Sequence, residues 1–125
     1  MTEQELDLES LETFTEPLLE LKAEEIVVLD LRGIAEFADT FIICTGTSDV
    51  QVRAIADALI ERAKKDGHRP LNTEGYDQRK WILVDFVDVV VHVMLPDERK
   101  FYGLERLWGD APVHEIEDKP VAEAT

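Results

Sequence analysis

Residues 81–95, WILVDFVDVVVHVML, predict two β-strands joined by a tight turn. If Phe86 and Val87 form the turn, Asp85 lies opposite Asp88 and the strands pair outward from there. Successive side chains of a strand point to opposite faces of a sheet, and this hairpin is apolar on both faces. A strand of that kind needs a cover on each side. The fold therefore depends on what covers each face of the hairpin.

One face of the predicted hairpin is aliphatic and the other is mixed. The aliphatic face consists of Ile82, Val84, Val89, Val91, Val93 and Leu95. The mixed face consists of Arg79, Trp81, Leu83, Asp85, Asp88, Val90, His92 and Met94. Trp, Met and Arg are frequent anchors of protein interfaces, so a partner that covers the mixed face is one possibility. The alternative is that the first or last helix of the same chain covers it.

The helix that suits the aliphatic face is predicted over residues 48–66. Ser48 and Gln51 have the spacing of a capping box at its start, and Gly67 supplies the stop. Its apolar residues recur at helical spacing and form one stripe: Val52, Ile55, Ala56, Leu59, Ile60 and Ala63.

The remaining elements lie on either side of this unit. Three further strands are predicted at 25–31, 40–46 and 69–75. An amphipathic first helix is interrupted by Pro17, which predicts a kink or a fresh helix start. A last helix, capped by Asp97, has core-like spacing of Phe101, Leu104 and Leu107 or Trp108. This order predicts an α/β fold: a single domain with a mixed sheet of about five strands and helices packed on it.

The charge of the chain is concentrated at its ends. The formal net charge is −15, of which −8 lies in residues 1–25 and −4 in residues 109–125. Such a field repels nucleic-acid backbones and attracts basic partners. The alternative is that the acidic ends only confer solubility.

The chain has no sequence signal for secretion or for a membrane. Its N-terminus is acidic from the third residue, and its longest apolar runs are far too short to cross a bilayer. The single cysteine, Cys44, excludes a disulfide framework. We therefore expect a cytoplasmic protein without a membrane partner.

No catalytic or metal-binding constellation stands out, and no cofactor is expected. His68, His92 and His114 lack metal-ligand spacing. Asp85 and Asp88 could join other aspartates around a metal, but they are more simply turn residues. The segment TGTS, residues 45–48, could hold a phosphate at a helix start, yet residues 39–52 contain no Lys or Arg. We expect a protein that is not an enzyme.

Three segments together resemble the ribosomal silencing factor family, RsfS, also called iojap-like. They are DTFIICTGTSDVQVRAIADAL, the pair EG at 74–75, and WILVDFVDVVVHVMLPDERKFYGLERLWG. The resemblance covers residues 18–109, so we divide the chain into an acidic extension with the first helix (1–17), an RsfS-like α/β domain (18–109) and a disordered acidic tail (110–125). Pro17 falls where the family usually has an uninterrupted helix.

The resemblance implies a non-enzymatic translational repressor with a fold related to nucleotidyltransferases but without their active site. It implies binding to the large ribosomal subunit through ribosomal protein fourteen, which blocks joining of the small subunit when nutrients are scarce. It also implies a possible homodimer. The alternatives are a nucleotidyltransferase-like nucleotide-binding enzyme and a generic acidic homodimerising protein.

The mixed face supplies the predicted binding site for that partner. We expect an apolar centre flanked by charged and aromatic edge residues, because an acidic domain is attracted to a basic ribosomal protein and then docks an apolar patch. The predicted centre is Trp81, Leu83, His92 and Met94, and the predicted edge is Asp85, Arg99 and Tyr102.

Overall fold

The computed structural model describes residues 6–117. Six strands form one sheet: β1 (Glu24–Asp30), β2 (Thr40–Thr45), β3 (Asn72–Glu74), β4 (Trp81–Asp85), β5 (Val89–Met94) and β6 (Val113–Ile116). Within the described residues, four α-helices and a short 3-10 helix (Glu9–Leu11) complete the fold. The α-helices are α1 (Glu12–Glu20), α2 (Asp49–Lys65), α3 (Pro96–Tyr102) and α4 (Leu104–Leu107). The strand order is β3-β4-β5-β2-β1-β6, and only β2 and β5 pair in parallel. The predicted α/β class with a mixed sheet is confirmed.

The sheet has one strand more than predicted, because residues 113–116 pair with β1. The prediction that the tail is disordered from residue 110 is therefore wrong for residues 113–116. The apolar side chain of Ile116 packs against the core on the helix side and holds the strand there. The rest of the predicted tail, residues 118–125, lies outside the described residues.

The first helix runs through the division predicted at residue 17. α1 contains Pro17 in its interior, so the predicted fresh start near this residue is wrong. Leu11 and Phe14 are buried in the same core as Leu18. The structure therefore joins this part of the acidic N-terminal segment to the domain.

The β4–β5 hairpin pairs with a register two residues away from the predicted one. Asp85 lies opposite Val90, and the Phe86 N–H donates to the Val89 carbonyl at 2.8 Å. The turn residues are therefore Val87 and Asp88, with Val87 at φ +81° and its N–H donating to the Asp85 carboxylate at 2.7 Å. A shift of two residues keeps every side chain on its predicted face.

The aliphatic face of the hairpin is covered as predicted. Ser48 caps the N-terminus of α2, and its hydroxyl accepts from the Gln51 N–H at 3.1 Å. The buried stripe of α2 packs with α1 and this face into one core. Gln51 also donates to the Leu21 carbonyl at 3.1 Å, so the start of α2 is tied to the end of α1.

The mixed face is covered by the chain itself, which is the second of the two sequence-based possibilities. Leu104, Trp108 and Ala111 pack against it from α4 and the following turn. Gly103 adopts a left-handed conformation, φ +56° and ψ +48°, and divides the predicted last helix into α3 and α4. This bend brings the segment after residue 103 back over the sheet.

Two glycines with similar backbone angles allow a matched test of a close approach at the edge of the sheet. Gly75 has φ +89°, and a Cβ there would collide with the Trp81 carbonyl oxygen, whereas Gly67 has φ +93° and open space around it. We expect Gly67→Ala to cost roughly 1–2 kcal/mol of backbone strain. Gly75→Ala should cost clearly more, because the strand also has to move. Urea unfolding measures both, and equal losses would contradict the close approach.

Candidate partner-binding site

The predicted binding residues fall into three groups by exposure. His92, Met94 and Arg99 are buried at 3 %, 0 % and 8 % exposure. Trp81, Leu83 and Asp85 are partly buried, and Tyr102 is exposed. The predicted apolar centre is therefore mostly interior, and the structure does not present it as one free surface.

A row of aromatic rings crosses the mixed face from one rim to the other. The Tyr102 and Trp81 ring centroids are 4.7 Å apart, Trp81 and His92 5.8 Å, and His92 and Phe41 4.5 Å. Phe101 extends the row beyond Tyr102 at 5.0 Å, and Trp108 continues it beyond Phe41. The row is buried in the middle and emerges at both ends. At one end Phe101 and Tyr102 are 77 % and 51 % exposed, and at the other end Phe37, 5.8 Å from Trp108, is 61 % exposed.

We call Trp81, Phe101 and Tyr102 the aromatic patch. The sequence pattern assigned Phe101 and Leu107 to the core, but both are exposed, Leu107 at 69 %. The reason is the break at Gly103, since a continuous helix would have placed these residues on one buried stripe. The exposure of Phe101 and Leu107 follows from the backbone conformation of Gly103, which helical spacing alone does not predict.

His92 is a neutral, interior part of the aromatic row. Its Nδ1 accepts a hydrogen bond from the Trp81 Nε1–H at 3.0 Å. Its Nε2 is buried and has no hydrogen-bond partner among residues 6–117. Burial disfavours the imidazolium and lowers the pKa of His92 to about 4. His92 therefore orients Trp81 from below the surface.

Arg99 is an internal clamp in the structure. Its guanidinium donates to both oxygens of the Glu105 carboxylate, at 3.1 and 3.0 Å. It also donates to the Glu25 carbonyl at 2.6 Å and to the Thr45 hydroxyl at 2.9 Å. These bonds tie α3 to α4 and to β1 and β2. Contacts to residues 54 and 74 positions away cannot be read from local spacing.

A cavity of about 540 Å³ opens beside the aromatic patch. It lies between α3 and the loop from β3 to β4 and is lined by Thr73, Gly75, Tyr76, Asp77, Gln78, Lys80, Trp81, Glu98 and Tyr102. Three aromatic side chains, two carboxylates and the ammonium group of Lys80 thus line one concave surface. Such a lining suits a cationic or amphipathic side chain of a protein partner.

The residues weighed for catalysis have structural roles. Asp85 accepts the turn N–H of Val87, as a hairpin residue does. Ser48 caps α2, and the Gln51 side chain accepts from the Thr47 N–H at 2.6 Å. Burial raises the pKa of the Cys44 thiol to about 12, against a weaker opposing effect of Arg99, so the thiol is protonated at neutral pH.

Within residues 6–117, no group of three or more His, Cys, Asp and Glu side chains is placed to hold a metal ion. No helix formed by these residues has both the length and the apolar character needed to span a membrane.

Comparison with known proteins connects this fold to one family. Residues 4–125 match the family model described as "Ribosomal silencing factor during starvation". The ribosomal silencing factor RsfS of Halalkalibacterium halodurans is 51 % identical over 96 residues, 77 % of this chain and 82 % of the relative. That of Bacillus subtilis is 49 % identical over 96 residues, 77 % and 81 % of the two chains. A crystal structure of a protein from Bacillus halodurans superimposes with a TM-score of 0.77 at 42 % identity, covering 88 % of this chain and 100 % of that one.

Replacement of the internal clamp should destabilise the fold. We expect Arg99→Met to lower the free energy of unfolding by about 3 kcal/mol, because several charged hydrogen bonds are lost and buried acceptors stay unpaired. Arg69→Met is the matched control, since Arg69 is exposed and forms no ion pair within residues 6–117, and its cost should stay below about 0.5 kcal/mol. Chemical denaturation measures both. Wild-type stability of Arg99→Met would show that Arg99 is not a clamp.

The buried imidazole should make stability depend on pH. Because the folded-state pKa of His92, about 4, lies below the unfolded value near 6.5, the unfolded state binds more protons between these values. The contribution of neutral His92 to the free energy of unfolding is therefore fully present above pH 6.5 and is lost as pH falls toward 4. Between pH 7 and pH 5 we expect the titration of His92 to lower the free energy of unfolding by about 2 kcal/mol. The measurement is the difference in unfolding free energy between wild type and His92→Leu at both pH values, and a constant difference would contradict it.

Proposed function

The chain belongs to the RsfS family of ribosomal silencing factors, and we propose that it represses translation by binding the large ribosomal subunit. In this proposal it binds through ribosomal protein fourteen, blocks joining of the small subunit and lowers translation when nutrients are limiting. The match to the family model over residues 4–125 is the observation that carries the proposal. The net charge of −15 also supports a basic protein rather than a nucleic-acid backbone as the direct contact.

We place the docking surface at the aromatic patch and the cavity beside it. Phe101 and Tyr102 are one exposed end of a row of rings that is anchored in the core, and the contact with Trp81 holds Tyr102 in position before a partner arrives. Aromatic side chains held in this way lose little conformational freedom on binding, which makes them effective anchors. Asp77 and Glu98 outnumber Lys80 at the cavity, so its net charge is complementary to a basic partner.

The other residues predicted to contact the partner act indirectly in this proposal. His92 and Met94 support Trp81 from the interior, Arg99 holds α3 in place, and Asp85 stabilises the hairpin turn. Leu83 is partly buried beside them. The blockade is steric, it requires no catalysis or cofactor, and it takes place on cytoplasmic ribosomes.

Truncation of the exposed rings tests this docking surface. We expect Tyr102→Ala to weaken binding to isolated large subunits roughly 30-fold and Phe101→Ala about tenfold, because both remove a central aromatic contact. Val50→Ala, which trims an exposed apolar side chain at the start of α2, is the control and should bind as wild type does. Co-sedimentation with purified large and small subunits gives the affinities, and thermal melts verify that each variant is folded.

The same samples should be assayed for joining of the two subunits. Wild-type protein should bind the large subunit only and suppress joining, and the two ring variants should lose both effects together. Suppression of joining by folded Tyr102→Ala at wild-type concentrations would contradict the aromatic patch as the docking surface. A change in the oligomeric state of the ring variants without loss of subunit binding would assign the patch to a homodimer instead.

A further inference from the structure

The outer edge of β6 is an open strand edge. β6 lies at the end of the sheet and pairs on its inner side with β1. No strand within residues 6–117 pairs with its outer side. An open edge presents unpaired N–H and C=O groups to any chain that can lie beside it in extended form.

The register of β6 shows which of its backbone groups point outward. The Asp30 N–H donates to the Pro112 carbonyl at 3.0 Å, which makes this a hydrogen-bonded pair at the start of the strand. Hydrogen-bonded pairs alternate along antiparallel strands, so His114 and Ile116 direct their backbone groups toward β1. Val113 and Glu115 therefore direct theirs away from the sheet. Both residues are exposed.

A groove lies on each face of this open edge, and the two share Glu115, Ile116 and Glu117. The groove on the side of α1 has a volume of about 430 Å³ and an apolar floor that includes Leu8 and Leu19. The groove on the opposite face, beside Arg99, has a volume of about 460 Å³. An added strand sends successive side chains to opposite faces. It would therefore fill both grooves in alternation.

Carboxylates surround both grooves, and their negative charge favours a positively charged occupant. The rims contain Glu12 and Glu16 on one face, Glu25 and Glu105 on the other, and Glu115 and Glu117 between them. Glu16 pairs with Arg62 at 2.9 Å and Glu105 with Arg99 at 3.0 Å. Among the described residues, no cation pairs with the remaining four.

We propose that the outer edge of β6 binds an extended, lysine- and arginine-rich protein segment as a seventh strand of the sheet. A second copy of this chain would place Glu115 and Glu117 against like charges, which disfavours self-pairing through this edge. The site lies beyond β5, β2 and β1 from β4, the strand that carries Trp81. The β6 edge is thus separate from the proposed subunit-docking surface, and both sites can be occupied at the same time.

Binding of a synthetic peptide tests the proposal on the full chain. The probe is a fluorescent nonapeptide of sequence KKTKKTKKT, which has cations on both faces when extended. Two further versions keep the same charge and carry backbone N-methyl groups on the odd residues only or on every residue. We expect the parent peptide to bind, the odd-methylated version to bind with similar affinity, and the fully methylated version to lose at least about tenfold, because a paired strand uses only alternate N–H groups toward its neighbour.

Variants of the chain locate the peptide. Glu115→Pro removes one outward N–H that β1 does not use, and it should weaken the parent peptide about tenfold, since proline is tolerated at the open side of an edge strand. Glu115→Lys should weaken it as well. Glu61→Lys, which reverses an exposed charge on α2, should change affinity much less. If Glu115→Pro fails to fold, the two methylated peptides still decide the question.

Four results would overturn the proposal. The parent peptide does not bind at low salt, or both methylated peptides bind as it does, which would leave only nonspecific attraction between opposite charges. Binding appears only after residues 118–125 are removed, which would make the chain's own end the occupant of the edge. Glu115→Pro dissociates a dimer, which would make the occupant a second copy.

Discussion

The β4–β5 hairpin is apolar on both faces, and the rest of the structure depends on the need to cover it twice. Ile82, Val84 and Val91 on one face are fully buried, and so is Met94 on the other. Burial of such side chains contributes roughly 25 cal/mol per Å² of apolar surface removed from water. The parallel pairing of β5 with β2 places the hairpin in the interior of the sheet, where both faces have to be closed by other elements.

The two covers differ in a way that explains the surface of the molecule. α1 and α2 close the aliphatic face with a continuous apolar core. The mixed face is closed by the short segment after Gly103, with Leu104, Trp108 and Ala111. This segment is too short to bury every ring, so the aromatic row emerges at the rim. Arg99 holds the segment to β1 and β2 and thereby fixes where Phe101 and Tyr102 project.

Local patterns predicted the parts of the fold that local chemistry controls. The alternation of side chains assigned each hairpin residue to its face even though the pairing was shifted, because an even shift preserves the faces. Ser48 and Gln51 identified the start of α2. The features that were missed depend on distant contacts or on a single backbone angle. β6 has only four residues and pairs with the distant strand β1, Gly103 interrupts a regular helical spacing, and Arg99 bonds to residues far away in the sequence.

Side-chain accessibility in the free and subunit-bound protein tests the central claim most directly, namely that the chain covers its own mixed face and docks through the rim. Hydroxyl-radical footprinting reports it residue by residue, since methionine and the aromatic residues react readily when solvent reaches them. The account predicts that Phe101 and Tyr102 are oxidised in the free protein and protected on the large subunit, while Met94 is protected in both states. Oxidation of Met94 in the free protein, with protection only on the subunit, would show that the partner supplies the second cover and would contradict the account.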